Sequence, residues 1–352
     1  MDERNKHDLF KVNIKVFLKV SDVNILIDKE RVMKYNKIFI MSNVGATGGT
    51  ELLHQLAYKL NKLGQPTYMV YSKPVKGTSV EKRFFVKYQV RQADKIEDVS
   101  DNLLIMPENI LKYLPSYKHI QKAAWWLSVD NFSGARKSKC SPFRYVLRIL
   151  LDKYISLYDK KWIHFVQSEY ARSYIVEDRK IPQDRVFNLS DYLNSDFLES
   201  NRSIDFAGRQ NNILYNPKKG IEITKELMKI LPQYNWIPIQ GMTPAQICKL
   251  MRESKLYIDF GNHPGKDRMP REAAICGCCI ITGKRGSAAN DVDIKIPSKY
   301  KIDDSDFDKI AEKIKEVLIT YEEITSDFDS YREKISNEES IFNAEIKKIF
   351  ID

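Results

Sequence analysis

The sequence has no apolar run approaching the ~20 residues needed to cross a bilayer. Its polar start, residues 1–13, lacks the apolar core of a secretory signal. Cysteine is scarce, with five among 352 residues and three of them crowded into 276–279. An odd number of cysteines, without a second Cys/His pair at ligand spacing, disfavours a disulfide framework and a zinc site. We therefore expect a reduced, cytoplasmic protein whose clustered cysteines are buried free thiols.

Signature motifs of three common enzyme classes are missing as well. The sequence has no Walker A loop, no Gly-x-Gly-x-x-Gly turn and no Gly-x-Ser-x-Gly elbow. Their absence disfavours a P-loop ATPase, a simple dinucleotide enzyme and a serine hydrolase with a nucleophile elbow. The composition, 43% hydrophobic and 30% charged, is that of a soluble protein. A chain of 352 residues is long enough for two domains.

Positive charge is unevenly distributed along the chain. The formal net charge is +10, yet residues 301–352 hold 8 basic and 15 acidic residues. The remainder holds 49 basic and 32 acidic residues. A basic body suggests an anionic partner, and charge alone leaves nucleotide phosphates, a membrane surface and nucleic acid all open.

Short apolar segments alternate with helical patterns from residue 37 onward, and the alternation restarts after a polar stretch at 194–210. Strands are predicted at 37–41, 67–71, 102–106, 123–129, 162–167, 213–215, 236–239, 256–260, 279–282 and 293–296. In the first helix Leu52, Leu56 and Leu60 share one face, and Gly64 fits its C-cap. A last helix is predicted from about Asp306. This order predicts two serial α/β blocks joined near residue 200.

The first candidate site is the turn Gly48-Gly49-Thr50-Glu51, between the first predicted strand and its helix. Free backbone N–H groups at a helix start attract anions, and glycine lets a ligand approach the backbone closely. A tight turn without a ligand explains the same residues.

A second candidate lies where the apolar run that begins at Trp125 ends in Asp130 and Asn131. Open α/β sheets bind ligands at the carboxyl ends of their strands, which is where these polar side chains are predicted to lie. The alternative is a buried strand whose aspartate caps the next turn.

The most charged loop of the second block is part of 259–274, between a predicted strand and a helix. Lys266 and Arg268 could neutralise phosphates there, and Glu272 could accept the hydroxyls of a ribose, whereas a solvated charged loop is the alternative. Two further loops combine glycine with cations after predicted strands, and they contain Asn216, Lys218, Lys219, Lys284 and Arg285. A parallel sheet gathers all three loops on one edge, which predicts a convergent anion site.

Two of these motifs, in their serial order, resemble a known family. Gly48-Gly49-Thr50-Glu51 is similar to the N-terminal glycine loop of GT-B glycosyltransferases, in the large retaining, glycogen-synthase-like and polysaccharide-assembly group. The stretch 213–277 is similar to the nucleotide-sugar domain of these enzymes, and the resemblance spans roughly residues 37–320. It implies an α/β fold with two Rossmann-like domains facing each other across a cleft, and a donor nucleotide held mainly on the second.

The resemblance also implies how the donor is held. Glu272 matches the glutamate that binds the nucleotide ribose, and Lys218 or Lys219 falls where the family places a lysine on the diphosphate. In metal-independent members, lysine and arginine side chains and helix N-termini stabilise the charge of the leaving diphosphate. We therefore expect no cofactor and no metal held by the protein.

The expected catalytic residues depart from the family pattern. Asp130 lies near the position where many members carry a histidine. The first glutamate of the family's Glu-x7-Glu motif is replaced by Pro264, and His263, Lys266 and Asp267 occupy that loop instead. Asp130, His263 and Asp267 are the candidate catalytic residues on this reading, with a retaining outcome expected.

The predicted organisation is an N-terminal segment of unknown role (1–36), an acceptor-side domain (37–198), a nucleotide-sugar domain (199–305) and a C-terminal helical tail (306–352). The predicted activity is transfer of a sugar from a nucleoside-diphosphate sugar to a glycan or lipid-linked acceptor in surface-polysaccharide assembly. One alternative is a protein that glycosylates or binds nucleic acid, which is the less favoured partner. Another is a sugar-nucleotide epimerase on the same fold.

A basic amphipathic helix is predicted within 133–161, where apolar residues recur at helical spacing. It either docks on an anionic membrane that carries a lipid-linked acceptor, or packs in the core with a solvated basic back. The basic residues that bear on this choice are Arg136, Lys137, Lys139 and Arg144.

Overall fold

The computed structural model describes residues 11–20, 23–45, 47–72, 85–132, 142–198 and 204–352. Its strands are β1 (Lys11–Val20), β2 (Val23–Val32), β3 (Ile38–Ser42), β4 (Thr67–Tyr71), β5 (Arg91–Gln92), β6 (Leu103–Pro107), β7 (Gln121–Trp126), β8 (Ile163–Val166), β9 (Val186–Asn188), β10 (Gln210–Tyr215), β11 (Asn235–Pro238), β12 (Ser254–Asp259) and β13 (Cys279–Thr282). Its α-helices are α1 (Gly48–Lys62), α2 (Pro142–Ser156), α3 (Glu169–Ser173), α4 (Ser195–Leu198), α5 (Ile221–Ile230), α6 (Pro244–Glu253), α7 (Arg268–Ile275), α8 (Phe307–Ile319), α9 (Tyr321–Ile324), α10 (Asp329–Ser336) and α11 (Glu338–Phe350).

Seven strands form the larger sheet, in the order β5-β4-β3-β6-β7-β8-β9. Strand β3 is buried along its whole length and pairs in parallel with both β4 and β6, as is usual for a strand covered on both faces. Helix α1 connects β3 to β4 and buries Leu52, Leu56 and Leu60, and Gly64 follows it with a φ of 87°. The predicted unit of strand, glycine loop, helix and strand is therefore confirmed.

The second sheet has four parallel strands in the order β11-β10-β12-β13. Leu256, Tyr257 and Ile258 of β12 are fully buried, because β12 lies between two neighbours and beneath helices. Crossover helices α5, α6 and α7 connect successive strands. This is the serial α/β pattern predicted for the second block, and it sets the carboxyl ends of β10, β12 and β13 side by side.

One predicted strand is wrong, because residues 293–296 form turns. The Asp293 carboxylate accepts hydrogen bonds from the backbone N–H groups of Glu169 and Tyr170, at 2.8 and 2.9 Å, and so caps α3. Next to β13 the chain makes instead an isolated bridge between Thr282 and Lys301. The apolar alternation before Pro297 therefore reflects buried turn residues and not a fifth sheet strand.

The predicted C-terminal helix begins at its expected cap. The Asp306 side chain accepts a hydrogen bond from the backbone N–H of Lys309, and Ile310, Ile314 and Val317 are buried along one stripe of α8. Three further helices, α9, α10 and α11, follow it. Across the described ranges, every helix falls short of the length and apolar character that a membrane span requires.

The chain divides into two compact units. One contains Met1–Trp125, Leu157–His164 and Asn343–Asp352, and the other contains Trp126–Ser156 and Phe165–Phe342. The domain boundaries inferred from the sequence stay a prediction. The four-stranded sheet and the loops that follow its strands lie wholly within the second unit.

Candidate functional site

Three loops that follow adjacent strands of the second sheet converge at one edge. Gly220 has a φ of 61°, and a Cβ built there would lie 1.8 Å from the carbonyl oxygen of Phe260. Gly286 likewise leaves room for the carbonyl of His263, which a Cβ at Gly286 would approach to 2.0 Å. The backbone N–H of Ser287 donates to that same carbonyl at 2.9 Å. The convergence predicted from the loops' composition and a parallel sheet is therefore what the fold produces, and it depends on glycine at the contacts.

A cluster of four charged or titratable side chains occupies this edge. Lys219 Nζ lies 3.1 Å from Asp259 Oδ1, 2.5 Å from Asp267 Oδ2 and 3.2 Å from His263 Nδ1. His263 Nδ1 is also 2.8 Å from Asp267 Oδ2, and its Nε2 is 3.2 Å from the backbone carbonyl of Asp259. Asp259 and His263 are buried, and a quarter of the Asp267 side chain is exposed. The hydroxyl of Tyr257 donates to Asp259 Oδ2 at 3.0 Å.

The cluster's charges stabilise one another. Burial by itself would lower the pKa of Lys219, but the carboxylates of Asp259 and Asp267 raise it above its ordinary value. Burial would raise the pKa of Asp267, yet hydrogen bonding to His263 and the charge of Lys219 lower it. Burial, reinforced by Asp259, raises the pKa of Tyr257 well above its ordinary value, which keeps this hydroxyl a hydrogen-bond donor.

Lys266 lies in a second, buried ion-pair network and not at the open edge of the loop. Its Nζ is 3.1 Å from Asp191 Oδ1 and 2.8 Å from Glu338 Oε1. Arg271 bridges the same two carboxylates at 2.7 Å each, and all four side chains are no more than 7% exposed. Burial opposes ionisation of Asp191, but Arg271 and Lys266 outweigh it and hold its pKa well below the usual range. Lys266 is thus paired with two protein carboxylates, and it is not presented to a ligand at the open edge of the loop.

The remaining residues of the 259–274 loop lie at the start of α7. Asp267 is the N-cap residue of this helix, Arg268 is its first residue and Pro270 is its third. Arg268 and Glu272 are half-buried, and Glu272 lies one turn into the helix. A carboxylate and a guanidinium therefore stand in the first turns of this helix, next to the convergent loops.

The two other loops present cations to solvent. The Asn216 side chain accepts a hydrogen bond from the backbone N–H of Lys218 at 3.0 Å, which forms an Asx turn and leaves the Lys218 side chain exposed. Lys284 is exposed, and Arg285 Nε pairs with Asp304 Oδ2 at 2.7 Å while more than half of the Arg285 side chain remains exposed.

The segment that contains Asp130 packs against, and hydrogen-bonds to, the loop that contains His263. The backbone N–H of Val129 donates to the carbonyl of Pro264 at 2.7 Å, and a Cβ on Gly265 would lie 2.0 Å from the carbonyl oxygen of Leu127. Asp130 Oδ1 accepts a hydrogen bond from the hydroxyl of Tyr170 at 3.0 Å. Burial and the charge of Asp130 raise the pKa of Tyr170 to about 12. The fold therefore brings Asp130 to the same side of the second unit as the charged cluster.

The glycine turn belongs to the first unit. Gly48 and Gly49 are the first residues of α1, which Thr47 caps. Thr47 and Thr50 form a reciprocal capping box, in which the Thr50 N–H donates to Thr47 Oγ1 at 3.2 Å and the Thr47 N–H donates to Thr50 Oγ1 at 2.9 Å. The Thr50 hydroxyl therefore has a structural use that its sequence pattern did not predict.

Sequence reasoning predicted Lys219, His263 and Asp267 as site residues but missed Asp259, which completes the cluster. Asp259 is the last residue of β12, and its eight-residue spacing from Asp267 with His263 midway was the available signal. Nothing in the sequence linked Asp191 to Glu338, because only the fold brings them together. The buried free thiols predicted at 276–279 are confirmed.

No protein-family model matches the sequence, and comparison with curated proteins finds no relative. The fold, however, is similar to solved structures. A glycosyltransferase from Rickettsia africae ESF-5 matches with a TM-score of 0.64 and 12% identity over 89% of this chain and 96% of the other. Anabaena HepE, solved with UDP and glucose, matches with a TM-score of 0.62 and 10% identity, over 89% of this chain and 99% of the other. Sucrose-phosphate synthase from Thermosynechococcus elongatus matches with a TM-score of 0.61 and 12% identity, over 89% of this chain and 98% of the other.

These neighbours are GT-B glycosyltransferases, so the fold class predicted from the sequence is confirmed. At 10–12% identity the likeness concerns the fold. The chemistry of the site has to be argued from its own residues, because one fold supports many functions.

Proposed function

We propose that this protein is a glycosyltransferase that transfers a sugar from a nucleoside-diphosphate sugar to a glycan or lipid-linked acceptor. The observation that carries the proposal is the convergence of three glycine- and cation-bearing loops at the carboxyl edge of the second sheet of a GT-B fold. Open α/β sheets bind ligands at that edge, and the HepE structure was solved with UDP and glucose.

In this proposal each loop has a distinct part in holding the donor. Glu272 accepts hydrogen bonds from the nucleotide ribose, and Asn216 shapes the turn that presents Lys218. Lys218, Lys284 and Arg285 neutralise the diphosphate, whose negative charge grows as the sugar departs. Fixed cations stabilise that developing charge without reorganising, so no metal held by the protein is needed on this view.

The catalytic roles divide according to exposure. Asp130 is half-buried beside Tyr170, and we propose that its carboxylate faces the reacting sugar or its acceptor. His263 has no exposed surface, so its proposed part is to hold Asp267 and Lys219 in place and not to touch substrate. We expect retention of the anomeric configuration, which NMR of the first-formed product reports directly.

The direct test is a thermal-shift titration with UDP, GDP, ADP and CDP, each with and without EDTA. One nucleotide should raise the melting temperature, and the rise should survive EDTA. Incubation with the corresponding sugar nucleotide and no acceptor then separates transfer from epimerisation, since an epimerase converts the nucleotide sugar alone. If no diphosphate stabilises the protein at millimolar concentration, the proposed function is wrong.

We also propose a place of action, in surface-polysaccharide assembly at the cytoplasmic face of a membrane. One stripe of α2 is exposed, with side-chain exposures between 43% and 73%, and it consists of Phe143, Val146, Leu147, Leu150 and Tyr154. The exposure of this stripe favours the docking interpretation of the helix over the packed-core interpretation. Its basic sequence neighbours favour an anionic lipid surface as the partner.

The membrane proposal is tested by co-sedimentation with phosphatidylglycerol vesicles at low salt. The wild-type protein should bind, and Phe143→Ser/Leu147→Ser/Leu150→Ser should not. Ile319→Ser is the matched control, because Ile319 is 77% exposed on α8. Absence of wild-type binding to anionic vesicles would refute the membrane contact.

A companion variant tests the charge component of this contact. Neutralising the four basic residues singled out in the sequence should cost up to ~1 kcal/mol of vesicle binding for each residue. Of these, Arg136, Lys137 and Lys139, together with the side chain of Arg144, lie outside the described residues.

A further inference from the structure

The ammonium of Lys219 lies among three side chains whose donor atoms are those of a metal site. One oxygen of Asp259, one nitrogen of His263 and one oxygen of Asp267 all lie within 4.8 Å of one another. Two carboxylates and an imidazole are a common ligand set for divalent transition metals. Lys219 Nζ contacts all three residues, at 3.1, 3.2 and 2.5 Å respectively.

The charges of the cluster require a cation at this point. The Asp259 side chain is 2% exposed and lies beside the Asp267 carboxylate, so two anions share a poorly hydrated space. Like charges at such a distance are stable only if a cation lies between them. The Lys219 ammonium supplies that cation, since its Nζ lies within 3.2 Å of a side-chain atom of each of the three residues.

The imidazole of His263 lies between the two aspartates. Its Nε2 is 3.2 Å from the backbone carbonyl of Asp259, and its Nδ1 is 2.8 Å from Asp267 Oδ2 and 3.2 Å from Lys219 Nζ. A metal ion that replaced the ammonium would therefore meet Nδ1 and Asp267 Oδ2 at the same point. The second oxygen of Asp259 is engaged by the hydroxyl of Tyr257.

Backbone packing holds Lys219 in this position. Its neighbour Gly220 lies against the carbonyl of Phe260, and a Cβ on Gly261 would come within 3.0 Å of the Gly220 nitrogen. The backbone at residue 219 is therefore held against the loop that follows β12.

We infer that Lys219 is the built-in cation of an Asp–His–Asp site, occupying the position that a divalent metal ion would otherwise take. Lys218, the adjacent residue, is then the lysine that contacts the donor diphosphate. Its side chain is exposed, and among the residues that the structure describes its ammonium has no partner. The role of Lys218 rests on the proposed function, whereas the role of Lys219 does not.

The test is to remove the built-in cation and offer a metal in its place, using Co²⁺ as a visible probe. Lys219→Ala should bind Co²⁺ with a stoichiometry of one and develop d–d absorption. Its melting temperature should rise by about 5 °C at saturating Co²⁺. The wild-type protein and Lys218→Ala should show neither response, and Lys219→Ala/His263→Ala should lose the response because a ligand is gone.

Two outcomes of the cobalt experiment overturn the inference. One is wild-type protein that binds Co²⁺ as tightly as Lys219→Ala, because the ammonium would then be no barrier to the metal. The other is a folded Lys219→Ala protein that ignores Co²⁺.

A measurement on the wild-type protein decides the case if Lys219→Ala does not fold. Acetylation mapped by mass spectrometry should modify Lys218 readily and Lys219 hardly at all, and UDP should protect Lys218. Equal modification of the two lysines without nucleotide overturns the inference, as does protection by UDP of Lys219 alone. If none of UDP, GDP, ADP and CDP binds, the proposed function fails, whereas the cobalt result for Lys219 stands.

Discussion

Arg271 offers a sharp test of how the second unit is held together. The guanidinium lies 2.7 Å from Asp191 and 2.7 Å from Glu338, and the three side chains are 1–3% exposed. Arg271→Met keeps much of the side chain's bulk but leaves two buried carboxylates with only Lys266 between them. Removal of one partner from a buried ion pair costs about 3–5 kcal/mol. Because Lys266 still lies 3.1 and 2.8 Å from these carboxylates, we expect a loss near ~3 kcal/mol, the lower end of that range.

The assay is urea denaturation of wild type and variant, followed by far-UV circular dichroism. Lys299→Met is the matched control, because its ion pair with Asp327 has the same 2.7 Å separation but is 50% and 31% exposed. An exposed pair contributes at most ~1 kcal/mol, so the control should be nearly neutral. Equal destabilisation by the two substitutions would refute the reasoning that burial makes the Arg271 network important.

The pH dependence of the same variant has a definite sign. The folded pKa of Asp191 lies below its unfolded value, so the stabilisation it brings is present above the unfolded value of ~3.9 and is lost as the pH falls through the folded value. The difference in unfolding free energy between wild type and Arg271→Met should therefore be largest near neutral pH and shrink in acid. A difference that grows as the pH falls would contradict the assignment.

Two further predictions concern the donor site and its glycine contacts. Glu272→Ala should lower kcat/KM for the nucleotide sugar by roughly 10- to 150-fold, because a lost charge-assisted contact costs ~1.5–3 kcal/mol. Its unfolding free energy should fall by ~1 kcal/mol at most. Steady-state kinetics measure the effect, with Glu222→Ala as the control, and unchanged turnover would mean that Glu272 acts only as a charge near the start of its helix. In urea denaturation, Gly220→Ala should destabilise the protein by ~2 kcal/mol more than Gly241→Ala. Both glycines have φ values above +60°, but only a Cβ at position 220 would collide with a carbonyl group, that of Phe260. Equal effects would mean that backbone strain alone, and not the loop contact, explains the loss.

Much of the fold was accessible from the sequence because its signals are local. The apolar strand, glycine turn and amphipathic helix at 37–64 specify one βαβ unit through periodicity, capping and the conformational freedom of glycine. The same reasoning located β10, β12 and β13 to within a few residues. It failed at 293–296, where the alternation of apolar residues resembles a strand but the Asp293 carboxylate is used as a cap for α3.

The candidate site was accessible in part. The loops that follow β10, β12 and β13 were predicted to meet because parallel strands align their carboxyl ends, and this depends only on strand order. The exposed stripe of α2 shows the limit of such reasoning, since a period near 3.6 predicts which residues share a face but not what covers that face.

The lysines of the second unit separate what the sequence determined from what only the tertiary structure decided. The sequence determined that Lys218, Lys219 and Lys266 stand in glycine-bearing loops at the ends of parallel strands, because charge and loop position are local properties. The exposure of each lysine depends on carboxylates that are distant in the chain. Lys266 is paired with Asp191 and Glu338, and Lys219 is paired with Asp259 and Asp267. A cation's role is set by its partners and its desolvation, and both arise only when the chain has folded.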